Sequence, residues 1–178
     1  IDVIAEANES ASVEVQSGME VDILEDGSLD LEPETLEKLD VVVASIHYNI
    51  DVSAEAMTDR LLAALDESSV SILGHPTGRM IGTRDAYGFD HEKVFRRAAE
   101  NGVALEVNAS PERLDLPDTL ARAAIDSGAK LCVCTDAHST GGLSAMRFGV
   151  DTARRGWATA DDVINTLPLQ ELTRFLAR

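Results

Sequence analysis

The sequence predicts a single α/β domain of the barrel type, and three observations carry that prediction. Five short β-rich runs recur at intervals of about 25 to 30 residues, the spacing a strand-helix unit needs. Between them lie helical patterns with recognisable ends. A polar or ionisable residue stands near the carboxyl end of strand after strand, where barrel enzymes keep their chemistry.

The β-rich runs are VEVQSGMEVDIL (13–24), VVVASIH (41–47), VSILGHP (70–76), VALEVN (103–108) and KLCVCTDAH (130–138). Ser53 is placed to cap a helix whose Met57, Leu61, Ala64 and Leu65 share one face, and Asp90 to cap another carrying Val94, Phe95, Ala98 and Ala99 before Gly102. Pro117 opens a third helix with Leu120, Ala123 and Ala124 inward and Gly128 at its end. Thr159 starts a short helix with Asp161 and Asp162 in its first turn, where the helix dipole favours acid. Pro168 opens the last, striped by Leu169, Leu172, Phe175 and Leu176. No linker, repeat or low-complexity tract divides the 178 residues, so 1–178 reads as one domain. The strand-helix repeat alone admits a barrel or a doubly wound sheet. No GxGxxG or GxxxxGK[ST] accompanies it, so the nucleotide-fold signals are absent.

The chain carries 32 acidic against 15 basic residues, a net charge of −17, with Lys38, Lys93 and Lys130 as its lysines. That balance argues against a broad electrostatic grip on nucleic acid and suits a protein kept soluble in concentrated salt, with an acidic interaction surface as the alternative. Any phosphate contact has to be local. No apolar stretch approaches the ~18 residues of a membrane span, and no basic-then-apolar leader opens the sequence, which reads as cytoplasmic. Cys132 and Cys134 are the only cysteines. Placed i, i+2 on one strand, they share a face and are poorly set to bridge each other. They read as small buried apolar residues, with a thiolate ligand as the alternative.

Taken in order, the strand ends supply Glu20, His47, His75, Glu106, Asn108, Asp136 and His138. Three of the four histidines lie at such positions; His91 falls in the first turn of a helix. Imidazole nitrogen and carboxylate oxygen are the ligands that Zn²⁺, Mn²⁺ or Fe²⁺ accept, so a divalent metal centre is the expectation. Asp136 and His138 point to the same side if their strand persists. Gly74, Pro76 and Gly78 around His75 read as a tight turn that either only shapes the βα connection or also aims Arg79, with Arg84 as its alternative, at a phosphate. Glu106 and Asn108 read either as groups orienting the ligands or as satisfied core polar residues.

The stretches GMEVDILEDGSLD, ASIHYNID, ILGHPTGR, LEVNASPERLDL, CTDAHST and MRFGVDTARRGWATADDVINT resemble the PHP (polymerase and histidinol phosphatase) metallophosphoesterases. More narrowly, they resemble the C-terminal PHP domain of family-X DNA polymerases. The resemblance implies a distorted (β/α)7 TIM-like barrel holding up to three metal ions at the carboxyl ends of its strands. It implies Glu20 as a carboxylate bridging two ions with His47 and His75 completing one site, Asp136 in the neighbouring site and His138 on a third ion. The family's opening HxH strand and its [TS]DH strand are not matched, so about five of the seven βα units are expected here. Fewer ions, weak or no activity of the fragment alone, and exposed sheet edges open to a partner chain follow from that. The implied activity of the parent protein is metal-dependent phosphoester hydrolysis at DNA 3′ ends, as 3′-5′ exonuclease, 3′-phosphatase or abasic-site processing. Glu20, Asp136 and Arg79 are its catalytic candidates, and a polymerase domain lies in cis. A stand-alone phosphatase of a small phosphomonoester, such as histidinol phosphate, and a non-catalytic scaffold or interaction module are the alternatives.

Overall fold

The computed structural model describes residues 1–177. It contains a sheet of five parallel strands interleaved with helices. In chain order the elements are α1 (Asp2–Asn8), β1 (Gly18–Asp22), α2 (Pro33–Leu36), β2 (Val41–Ser45), α3 (Ala54–Asp66), β3 (Ile72–Leu73), α4 (His91–Asn101), β4 (Ala104–Asn108), α5 (Asp118–Asp126), β5 (Leu131–Cys134), α6 (Met146–Arg155) and α7 (Leu169–Leu176). Short 3₁₀ turns at Thr140–Ala145, Ala160–Asp162 and Ile164–Thr166 connect the last elements.

The strands pair in sequential order, β1-β2-β3-β4-β5, every pair parallel. A doubly wound sheet reverses its strand order at a switch point. This one does not, and its order is compatible with part of a TIM-like barrel. Among the described residues no helix is long and apolar enough to cross a membrane.

The two faces of the sheet do different work. Ala44, Leu73, Leu105, Val107, Leu131 and Val133 point to one side and meet Leu61, Leu65, Phe95, Ala98, Ala121, Ala124 and Ala153 of the helices in the main core. Helices α3 to α6 line up along this side, each packed against the next. The register sets the other face: Glu20 lies opposite Val43, Val43 opposite Ile72, Ile72 opposite Ala104, and Glu106 opposite Cys132. On its amino-terminal half Val41, Val43, Ile72, Ala104 and Cys132 are covered by Ile164, Leu167, Leu172, Phe175 and Leu176. Its carboxyl-terminal half carries the polar groups.

The expected helix ends are present. The Ser53 hydroxyl accepts the Ala56 N–H, the Asp90 carboxylate accepts the Lys93 N–H, and Gly102 closes α4 in the left-handed conformation at φ 65°. Thr159 and Asp162 form a reciprocal capping box on a 3₁₀ turn. Other expectations are corrected. Residues 13–17 of the first run lie outside β1, and β3 is only two residues long because the chain turns at Gly74. Ala121 is buried in α5 while Leu120 and Ala123 are only partly covered, and Leu169 of α7 is 46% exposed, outside the stripe assigned to it. β5 stops at Cys134, before Asp136.

The edge beyond β5 is closed by a side chain. Asn165 Oδ1 accepts the Val133 N–H at 2.7 Å and Asn165 Nδ2 donates to the Val133 carbonyl at 2.9 Å, so one amide imitates a neighbouring strand. At the other edge no strand lies beyond β1 among the described residues.

Phe95 is fully buried between helices and sheet. Phe95→Ala is expected to lower the unfolding free energy by about 3–5 kcal/mol in urea titrations, and Ser53→Ala by about 1 kcal/mol through the lost cap.

Candidate metal centre

Strand alternation delivers most of the site. Glu20 and Asp22 of β1 and Ser45 of β2 share the polar face, and His47 follows Ser45 by two residues and keeps that phase. His75 does not. Gly74 takes the polar-face position after Ile72, so an extended continuation would send His75 toward the helices. Its φ of +24° turns the ring back instead, and Nε2 comes to 3.0 Å from Glu20 Oε1. Glycine suits position 74, because a Cβ there would lie 2.2 Å from Ser45 Oγ and 2.9 Å from Val43 Cγ1.

Three donor atoms converge. His75 Nε2 is 3.0 Å from Glu20 Oε1, His47 Nε2 is 3.3 Å from His75 Nε2, and His47 Nε2 is 3.6 Å from Glu20 Oε1. Donors on one tetrahedral ion, at bond lengths of about 2.0–2.1 Å, stand about 3.3 Å apart. The three separations bracket that value, and this is the one such group among the described residues. Two imidazole nitrogens facing each other at 3.3 Å place lone pairs together unless a proton or a cation lies between them. The residues therefore fit a divalent cation.

The surroundings hold the donors in place. His47 Nδ1 contacts Asp22 Oδ1 at 2.5 Å, which fixes the proton on Nδ1 and leaves the Nε2 lone pair facing Glu20 and His75. The His75 backbone N–H donates to Glu106 Oε2 at 2.5 Å, while Asn108 Nδ2 lies 3.4 Å from Glu106 Oε1 and 3.3 Å from Asp136 Oδ2. Next along the turn, the Thr77 N–H donates to the buried Asp115 carboxylate at 3.1 Å. Glu106 thus holds the backbone of His75, and Asn108 lies between Glu106 and Asp136.

Two carboxyls at the site, the exposed Glu20 and the buried Glu106, titrate in opposite directions. Hydrogen bonding from His75 holds Glu20 down at about 2 against the upward push of burial, helped by the Ser45 hydroxyl and by positive charge on His75 and His47. Burial pushes Glu106 up to about 8, opposed by the His75 N–H and reinforced by the charge of Asp136.

The remaining expected residues lie elsewhere. Asp136 sits past the end of β5 at φ +53°, its carboxylate 3.9 Å from Arg113 Nε, and His138 is 89% exposed with Nδ1 turned back to the Asp136 carbonyl. The strand does not persist, yet the chain beyond it brings His138 Nδ1 to 3.7 Å from Asp136 Oδ1; neither joins the three-donor group. Arg79 does not reach over the site either. Its Nε donates to the Arg113 carbonyl at 2.7 Å and its Nη2 to the Leu114 carbonyl, and Arg84 is likewise tied to the Gly78 carbonyl at 2.8 Å. The cation beside Asp136 is Arg113, whose Nη1 is buried without a hydrogen-bond partner. Sequence reading missed Arg113 and Asp22. A carboxylate two residues from Glu20 on the same strand was the available signal for Asp22.

Fold and donor set together define an α/β protein with a candidate divalent-metal centre at the carboxyl ends of a parallel sheet. No protein-family model matches the chain. Among curated proteins it is 39% identical over 164 residues, 92% of this chain and 29% of the relative, to the DNA polymerase/3′-5′ exonuclease PolX of Bacillus subtilis. It is 33% identical over 167 residues, 86% of this chain and 64% of the relative, to a probable phosphatase of a Thermoanaerobacter species. A probable phosphatase of Syntrophotalea carbinolica is 26% identical over 162 residues, 86% of this chain and 65% of that protein. The chain spans less than a third of the polymerase and less than two thirds of these two phosphatases.

Two outcomes follow from this geometry. Asp22→Asn is expected to weaken binding of Mn²⁺ or Zn²⁺ by about 10–100-fold in calorimetric titrations, since it loosens the His47 ring without removing a donor. In chelator-treated protein, folded Glu106 keeps its proton up to about 8 while the unfolded chain releases it near 4.5, so its contribution is full at acid pH and is lost as pH rises through about 8. Urea midpoints should fall over that window, and Glu106→Gln should flatten the fall.

Proposed function

We propose that this chain is a PHP-type, metal-dependent phosphoesterase domain, built as part of a distorted (β/α)7 barrel over 1–178. We assign it to a protein like the PolX relative, acting on phosphoesters at DNA 3′ ends with a polymerase domain in cis. The convergence of Glu20, His47 and His75 at the separations of a tetrahedral site carries this reading. Alignment of 92% of the chain with a protein named as a polymerase and 3′-5′ exonuclease supports the substrate class.

Divalent ions bound at such a site lower the pKa of a bound water and offset charge developing on phosphoryl oxygens. The chain's own residues prepare for this. Glu20, held at about 2, is ionised at neutral pH and supplies the charge that pairs with a cation. Asp22 orients His47, and Glu106 holds the backbone of His75. Asp136 and His138 stand at the mouth, in this reading to serve neighbouring ions. Arg113, 3.9 Å from Asp136, offers a guanidinium to an anionic phosphoryl group. Arg79 acts at one remove, by fixing the carbonyls of the loop that carries Arg113.

The second reading, a phosphatase of small phosphomonoesters, is favoured by the relatives named probable phosphatases, 33% and 26% identical. It uses the same donors. Turnover of a 3′-recessed duplex against p-nitrophenyl phosphate, each with Mn²⁺, separates the two. His47→Ala is expected to lower metal content and to reduce turnover by more than about 100-fold, because even groups one shell from a metal cost about 10–100-fold. Equal activity in wild type and His47→Ala would overturn the metal-centred mechanism.

A further inference from the structure

Arg60 of α3 is only 4% exposed, and the phosphoesterase reading does not use it. Its partners are main-chain carbonyls rather than carboxylates. Nε donates to the Leu24 carbonyl at 2.8 Å and Nη2 to that of Ile23, while Nη1 donates to the carbonyls of Tyr48 at 3.2 Å and Asn49 at 3.1 Å. Four of the five guanidinium N–H groups are thereby committed to two separate loops. The Tyr48 ring also lies against the guanidinium, its centroid 5.8 Å from Cζ.

The four acceptors form a pattern. Ile23 and Leu24 are the two residues after Asp22, and Tyr48 and Asn49 are the two after His47. The register of β1 with β2 runs out at Asp22 opposite Ser45, so strand pairing does not fix where His47 lies relative to Asp22. Burial does not fix it either, since the His47 side chain is 39% exposed against 2% for His75. A guanidinium is a rigid planar fork, and one that grips two carbonyls in each loop sets the separation of the loops. Asn49 Nδ2, which donates to Glu25 Oε1, is a second tie between the same loops, at the exposed surface.

We propose that Arg60 is a positioning residue of the metal centre. By clamping the carbonyls that follow Asp22 and His47, it holds the Asp22 carboxylate on His47 Nδ1 and keeps His47 Nε2 facing Glu20 and His75. This rests on the reading of Glu20, His47 and His75 as a cation site. The sign of the effect separates positioning from charge. A fixed positive charge beside a divalent-cation site repels the ion, so removing a purely electrostatic Arg60 would tighten binding. Removing a positioning Arg60 weakens it.

The test is a titration of the full chain with Co²⁺, read by calorimetry and by the visible ligand-field bands, whose intensity reports tetrahedral geometry. It is run at a temperature where circular dichroism shows each variant folded. Arg60→Met is expected to weaken Co²⁺ binding by about 10–100-fold, the usual cost of losing a group that orients a metal ligand, and to change the bands. Arg60→Lys keeps the charge but not the fork; it is expected to bind more weakly than wild type, and it decides alone if Arg60→Met does not fold. Ser53→Ala, which loosens the start of the same helix, is expected to bind as wild type. An equal loss in Ser53→Ala marks general destabilisation and overturns the proposal. Unchanged or tighter binding in Arg60→Met, or wild-type affinity in Arg60→Lys, overturns it too while leaving the metal centre intact. A wild type that takes up no Co²⁺ removes the cation site itself and this inference with it.

Discussion

The contact on which the site depends is the one between His75 Nε2 and Glu20 Oε1, made over β2 from the end of β3 to β1. A side chain on β1 reaches one beyond β3 only if the strand between them leaves room. Gly74 and Ser45 supply that room, since any Cβ at 74 would collide with the Ser45 hydroxyl. The same bond keeps Glu20 ionised. An ionised carboxylate facing two imidazoles is a coordination shell waiting for charge, and it exists because one residue adopts a backbone conformation that L-amino acids seldom hold. The left-handed turn at His75 is anchored on both sides, by Glu106 on its own N–H and by Asp115 on the Thr77 N–H two residues on. That local strain is sustained by buried carboxyl partners, the usual means by which a functional geometry survives against backbone preference.

The division of the sheet into two faces explains how so polar a cluster coexists with a stable fold. On the helix side the packing is continuous and apolar, from Ile46 through Leu105 to Val133. The opposite face is apolar only where the 164–176 segment covers it, and the polar groups begin where that cover ends. Because the strands are parallel and in sequential register, all their carboxyl ends open at the same rim. A group placed there by any strand meets groups from its neighbours without a special loop to bring it.

What could be read from the sequence follows from this architecture. Periodicity and caps revealed α3, α4 and the strand centres because those signals are local: Ser53, Asp90 and Gly102 act on atoms a few residues away. Glu20, His47 and His75 were legible as strand-end donors, although alternation alone would have put His75 on the wrong face. Asp136 and His138 were expected on a shared side if β5 continued; β5 ends at Cys134 and Asp136 turns left-handed, so their 3.7 Å approach comes from the turn and not from strand alternation. Arg79 was misplaced for a different reason. A guanidinium goes to whichever acceptors are unpaired, and the carbonyls of Arg113 and Leu114 belong to a loop 34 residues on, which no local pattern reveals. The same non-local pairing left Arg113 beside Asp136 and hid it from sequence reasoning.

Charge places a final constraint on how such a centre can operate. Glu20, Asp22, Glu106 and Asp136 all lie at one rim, facing two imidazoles and Arg113, within a chain whose net charge is −17. Glu106 relieves part of that repulsion by retaining its proton: burial raises its titration, and the charges of Asp136 and Glu20 reinforce the rise. An anionic ligand approaching this rim meets a repulsive field that one guanidinium at 3.9 Å from a carboxylate does not reverse. Divalent cations held by Glu20, His47 and His75 would change the sign of the local potential. Under the proposed function, binding at this centre would be ordered by electrostatics: cations would enter first, drawn by the acidic rim, and an anion would follow only once they were in place. The surplus of acid that weakens any grip on a polyanion would then be, at this rim, what recruits the ions that make anion binding possible.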